Sequence, residues 1–104
     1  MQNKRKTCAD MVEVRTEIDA LDRQIVALLT DRLHYIDEAA RIKSHRDQVR
    51  DEARISDVLN KVGAEAQRLG SDAEVVKAAY RALIEASIAH ELKRHDELQH
   101  QHAS

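Results

Sequence analysis

IVALLTDRLHYIDEAARIK, residues 25–43, carries a stripe at Ile25, Leu29, Arg32, Ile36, Ala40 and Lys43, at steps of four, three, four, four and three. These steps are the helical period, and they put one mostly apolar face on one side of a helix. Two members of the stripe, Arg32 and Lys43, are cations, eleven residues apart and so about 16 Å apart along the axis. Upstream the period continues through Met11, Val14, Ile18 and Leu21, and no turn signal interrupts it before Ser44. Thr7, with Asp10 three residues later, resembles an imperfect capping box. The spacing predicts a first helix of about 30 residues, roughly 45–50 Å long. A compact domain of about 100 residues is only about 26 Å across. Such a helix overhangs its own subunit, and its apolar overhang needs another chain. An intertwined dimer is the simplest arrangement, and an extended coiled coil is the other.

The polar stretch SHRDQVRDEA, residues 44–53, reads as a loop. A second helix follows, with Ile55, Val58, Leu59, Val62, Ala66 and Leu69 on its apolar side and Gly63 inside it. Leu69-Gly70 ends that run. Ser71 with Glu74 three residues on forms a capping box and predicts the start of a third helix. This helix is expected to bury Val75 or Val76, Ala79, Leu83, Ser87, Ile88 and Leu92 and to end in the nineties. The polar tail HDELQHQHAS is expected to fray. No repeat or second domain is visible, so residues 1–104 read as a single all-α domain of three helices.

Composition narrows the function. The 104 residues include no Phe, Trp or Pro. A monomer of this size buries only about 60–65% of its unfolded surface, and aliphatic side chains must fill the core, which again favours oligomerisation. Lys plus Arg is 17 against 19 acidic residues, for a formal charge of -2. A general nucleic-acid binder usually carries a basic excess. The cations Arg41, Lys43, Arg46 and Arg50 are interrupted by Asp47, Asp51 and Glu52, with no aromatic stacking set beside them. No nucleic-acid partner is expected. Cys8 is the lone cysteine, which excludes an internal disulfide, and it reads as an inert thiol. No run of 18 apolar residues spans a membrane. The basic opening MQNKRKTC lacks the apolar core of a secretory signal, so a cytoplasmic location is expected. His90 and His95 are five residues apart and do not share the helix face that a zincin motif needs. His95, His100 and His102 read as solvated tail residues, and no metal site is expected.

The charged residues on apolar faces carry the chemistry. Arg15 lies near the side of Ile18, Arg54 precedes Ile55 on the second helix, and Tyr80, Ile84, Ser87 and Glu91 place a carboxylate on a half-buried seam of the third. Buried cations require pairing or a ligand, because desolvation is expensive. One account is structural: the cations snorkel or form salt bridges with Glu91, Asp19, Asp22 or Glu38. The other is an electropositive slot whose guanidinium forks hold a small dianion. Without a nucleophile and base pair, such a slot acts by restraining a flexible anion and stabilising charge that develops on an oxygen.

VRTEIDALDRQIVALLTDR, followed by Lys43, VRDEARI and SIAHE, resembles the all-helical chorismate mutase family, which includes the isochorismate-pyruvate lyases of salicylate formation. The resemblance covers residues 8–95, and its most specific part is IDxLDxxIVxLLxxR, from Ile18 to Arg32, followed by Lys43 and Arg54. It implies an intertwined homodimer of three-helix subunits with two shared active sites, a small dianionic substrate, and neither cofactor nor metal. Carried onto this chain, the resemblance has Arg15 of the neighbouring subunit gripping one substrate carboxylate and Arg32 the other. Lys43 reaches the ether oxygen and an adjacent carboxylate, Arg54 lines the charged end, and Asp51 and Ser87 lie close to the substrate.

This chain departs from the family pattern in three places. Ile55 stands where many mutases have a glutamate that contacts the ring hydroxyl, and lyases tend to be apolar there. The loop between Lys43 and Arg50 is one residue shorter than in a typical bacterial mutase. Glu91 replaces a glutamine that donates to the ether oxygen. An ionised glutamate has no proton to donate, whereas a protonated one does, as in fungal relatives with glutamate here. Burial favours the protonated acid and Lys43 opposes it. The mutase reading, chorismate to prephenate, leads. The lyase reading, isochorismate to salicylate and pyruvate, follows, and a non-catalytic helical interaction or regulatory dimer is the third.

Overall fold

The computed structural model describes residues 5–102. The first four residues of the basic opening, Ala103, Ser104 and the side chain of His102 lie outside the described residues. Three α-helices and one 3-10 turn account for nearly all of the rest: α1 (Met11–Ile42), the turn (Arg46–Gln48), α2 (Glu52–Arg68) and α3 (Ala73–His102). The chain packs as two units, one ending at Arg32 and one beginning at Leu33.

In the first unit α1 begins one turn later than the Thr7 cap implied. The Asp10 carboxylate accepts from the Glu13 backbone N–H at 2.9 Å, and Glu13 accepts from Ala9 N–H at 2.9 Å. This satisfies two donors near the helix start that would otherwise lack a partner. Residues ahead of the helix lie against it. Arg5, Lys6 and Cys8 line a cavity of about 440 Å³ with Glu17, Ile18 and Leu21. The apolar period of α1 is present, but much of it faces outward: Met11, Ile18, Leu21, Ile25, Val26 and Leu28 are all exposed.

The second unit holds the buried residues. The end of α1 contributes Ala40, the loop Val49, α2 Ala66 and α3 Ile84. Ser87, Glu91 and His95 are buried beside them. α2 ends in a Schellman motif: Ser71 N–H donates to Ala66 C=O at 2.8 Å and Gly70 N–H to Gln67 C=O at 3.0 Å. Gly70 has φ +71°, the left-handed conformation that only glycine adopts without strain. Leu69 is 44% exposed at this corner, so it does not join the apolar face of α2. Gly63 is buried where α2 approaches α3, and an added Cβ would lie 3.2 Å from Cδ of Lys77.

Two boundaries of α3 differ from the sequence expectation. Asp72, one residue after Ser71, is the N-cap: its Oδ1 accepts from Glu74 N–H at 3.0 Å and from Val75 N–H at 3.4 Å. Its full negative charge complements the helix N-terminus, which a hydroxyl does not do. At the other end the helix runs through the polar tail to His102. Val76 is half-buried while Val75 and Ala79 are exposed.

Candidate functional site

α1 ends at Ile42, and Lys43 still donates its backbone N–H to Ala39 C=O at 2.9 Å. The side chain then turns toward α3. Its Nζ donates to Glu91 Oε2 at 2.8 Å and to Val49 C=O at 3.5 Å. Glu91 is 4% exposed, and the Lys43 side chain 29%. An ammonium has three donors, so one remains for a ligand after these two contacts. Ser87, 5% exposed, stands one turn before Glu91 on the same face of α3 and donates its hydroxyl to Leu83 C=O at 2.7 Å.

The other candidates of this unit gather at the start of α2. Asp51 is its N-cap, and its Oδ1 accepts from Arg54 N–H at 3.0 Å. Arg54 is exposed and donates to Asp57 at 2.7 Å, while Ile55 is half-buried. Lys61 also reaches Asp57, at 3.0 Å. Its hydrogen bond, followed by that of Arg54, holds the Asp57 carboxyl below its usual range. An exposed pair such as Arg54–Asp57 contributes little to stability. The first unit carries the remaining two candidates: Arg15 is exposed on α1 and Arg32 is half-buried.

Loop and helix ends around Lys43 are tied by further ion pairs. Arg50 forks onto Glu85 of α3, with Nη1 at 3.1 Å from Oε1 and Nη2 at 3.0 Å from Oε2, and its Nε reaches Glu52 at 2.8 Å. The hydrogen bond from Arg50 holds the Glu85 carboxyl below its usual range, and Glu85 and Glu52 raise the guanidinium in turn. Arg46 meets Asp96 at 3.0 Å, and His90 of α3 meets Asp37 of α1 at 2.7 Å. With Arg41 on Glu38 at 2.9 Å, each of Arg41, Lys43, Arg46 and Arg50 has a carboxylate partner.

One residue beside Lys43 was misread from the sequence. His95, expected in a solvated tail, is 2% exposed, and its Nε2 lies 3.0 Å from the Lys43 carbonyl oxygen. The seam Ile84, Ser87, Glu91 continues by one further step of four to His95. That step was the available signal, and the polar composition of HDELQHQH masked it. His100 is exposed, as expected. Among the described residues no group of three or more His, Cys, Asp or Glu side chains is placed to hold a metal ion. No helix of the described residues is long and apolar enough to cross a membrane.

Three helices in this order, with a lysine just past the end of the first held against a buried carboxyl of the third, define an all-helical protein with a part-buried ion pair at its centre. The chain matches the family described as Chorismate mutase type II over residues 14–92 and belongs to it. That span includes every candidate from Arg15 to Glu91. The chain is also 28% identical over 86 residues to the isochorismate pyruvate lyase of Pseudomonas aeruginosa, covering 83% of this chain and 85% of that protein.

Proposed function

We propose that this protein is a chorismate mutase, converting chorismate to prephenate in a single domain spanning residues 1–104. The family match over residues 14–92 carries the reading. Arg15 and Arg32 would grip the two carboxylates of the dianion, and Arg54 would line its charged end. Lys43 and a protonated Glu91 would meet the ether oxygen as the C–O bond breaks and the C–C bond forms. Asp51, Ile55 and Ser87 would shape the rest of the pocket. The chemistry needs restraint and charge stabilisation, without a covalent intermediate.

The site is shared between two subunits of a homodimer in this reading. Exposed apolar side chains along α1 between Met11 and Leu28 support it, because a contiguous apolar face of that extent normally marks an interaction surface. Light scattering at working concentration should give a dimer, and a monomer would remove the shared site.

A second reading, isochorismate-pyruvate lyase, is favoured by the similarity to the Pseudomonas aeruginosa protein and by Ile55 in place of a ring-hydroxyl ligand. Purified protein incubated separately with chorismate and isochorismate separates the two. Prephenate dominating in kcat/KM establishes the mutase. Efficient release of salicylate and pyruvate replaces it with the lyase. Inertness toward both points to an altered substrate, such as an amino-substituted chorismate, or to the non-catalytic dimer.

A further inference from the structure

We propose that His95 is a positioning residue for Lys43: its imidazole holds the Lys43 backbone carbonyl while Glu91, one turn earlier on α3, holds the ammonium of the same residue. The proposal rests on reading Lys43 as the group that meets the substrate's ether oxygen.

Glu91 and His95 are four residues apart and therefore share a face of α3. Both are buried, at 4% and 2% exposure. The two contacts fall on opposite ends of one lysine: Nζ at 2.8 Å from Glu91 Oε2, and the carbonyl oxygen at 3.0 Å from His95 Nε2. Lys43 follows the last residue of α1, where carbonyls have no partner within the helix. His95 supplies the missing donor. With its N–H on Ala39 and its C=O on His95, the Lys43 backbone is held on both sides.

The chemistry of the contact fixes the state of the ring. A carbonyl only accepts, so Nε2 carries the hydrogen and, in the neutral ring, Nδ1 is bare. Among the described residues Nδ1 of His95 is buried without a hydrogen-bond partner. Packing alone does not account for an imidazole in this place. Leucine would fill a similar volume and bring no orphan nitrogen, and a buried polar atom without a partner is unfavourable. The bond to Lys43 is the one feature that leucine cannot supply. A lysine side chain has four rotatable bonds, so the place of its ammonium follows its backbone. A misplacement of about 1 Å costs on the order of a hundredfold in rate.

Four proteins test this together: wild type, Lys43→Ala, His95→Leu and His95→Gln. The glutamine amide offers an N–H close to the position of Nε2. On the favoured substrate, His95→Leu should lower kcat about 10- to 100-fold with KM within about threefold, since the arginines still bind the carboxylates. His95→Gln should restore kcat to within about fivefold of wild type. The imidazole ¹⁵N spectrum of the wild-type protein should show His95 protonated at Nε2 and bare at Nδ1. A leucine variant within threefold of wild type overturns the proposal. So does a loss that falls on KM, a glutamine variant as slow as the leucine one, or an Nδ1–H tautomer. Should His95→Leu not fold, His95→Gln against wild type and the nitrogen spectrum decide by the same criteria. An inert wild type, or an active Lys43→Ala, removes the reading of Lys43 itself and the proposal with it. The His95 variants cannot produce that pattern.

Discussion

Exchanging Glu91 for glutamine should move stability and activity in opposite directions. In the free protein the Glu91 carboxylate accepts from the Lys43 ammonium at 2.8 Å, in a position only 4% exposed. Glutamine keeps an acceptor there and loses the charge. A hydrogen bond to a charged group contributes about 1.5–3 kcal/mol and a neutral one about 0.5–1.5. Both bonds retain the lysine charge, and the Lys43 side chain is 29% exposed, so solvent makes good part of the difference. The variant should be less stable by about 1 kcal/mol, a few degrees in Tm. Activity follows a different rule. The ether oxygen needs a donor, and Glu91 donates only when protonated, whereas glutamine donates at every pH. Wild-type kcat/KM should therefore rise as pH falls.

The discriminating quantity is the ratio of variant to wild-type kcat/KM, followed by loss of chorismate absorbance from pH 5 to 8. Titrations common to both proteins cancel in the ratio. If the proton on Glu91 is the donated one, the ratio should grow with pH by up to about tenfold per unit, equivalent to about 1.4 kcal/mol each. A ratio constant across the range refutes Glu91 as the proton-bearing donor, whatever the absolute rates.

Replacing both members of the pair, Lys43→Met with Glu91→Leu, should give a protein at least as stable as wild type in urea and inactive, whereas Glu91→Leu alone strands a half-buried cation and destabilises by up to about 3 kcal/mol. Arg50→Ala should lower Tm at neutral pH. The folded Glu85 carboxyl is held low by Arg50, so this contribution is full above the ordinary glutamate value of about 4.3 and is lost as pH falls through the lowered one; the Tm gap should close in acid and shrink with salt. Asp72→Ala should cost about 1 kcal/mol and Ser71→Ala much less, because Asp72 makes the cap. Gly70→Ala should cost about 1–2 kcal/mol through backbone strain alone, since nothing lies within 4 Å of an added Cβ. Urea melts read both comparisons.

Helix number and order were legible because the apolar period is strong and proline is absent. Lys43 and Glu91 were legible as a problem, two charges on apolar faces, before the structure paired them. The misreadings share a cause. Ser71 and Asp72 are both good caps, and adjacent cap residues leave the register to the geometry of the preceding Schellman turn. The α3 tail is polar by composition, yet α3 continues because each successive turn is hydrogen-bonded onto a formed helix, which needs no further nucleation. His95 followed from the step of four beyond Glu91, and composition concealed what periodicity offered. The cap of α1 was hidden similarly, since Thr7 is the better hydroxyl candidate but Asp10 is followed by Glu13, which completes the reciprocal bonds.

The seam of α3 explains how one helix serves core and site. Ile84, Ser87, Glu91 and His95 succeed one another at 7%, 5%, 4% and 2% exposure, so burial does not relax as polarity rises. An apolar continuation would be no less stable, given the desolvation that a buried polar side chain incurs. The polar members are tolerable because each finds a partner: Ser87 the carbonyl of Leu83, Glu91 the ammonium of Lys43, and His95 the carbonyl of Lys43. Two of the three partners are the same residue. The polar end of the seam thus does little for the fold that aliphatic side chains would not do, and it fixes one lysine at both ends. That is the arrangement expected where the placement of a cation, rather than stability, sets the requirement.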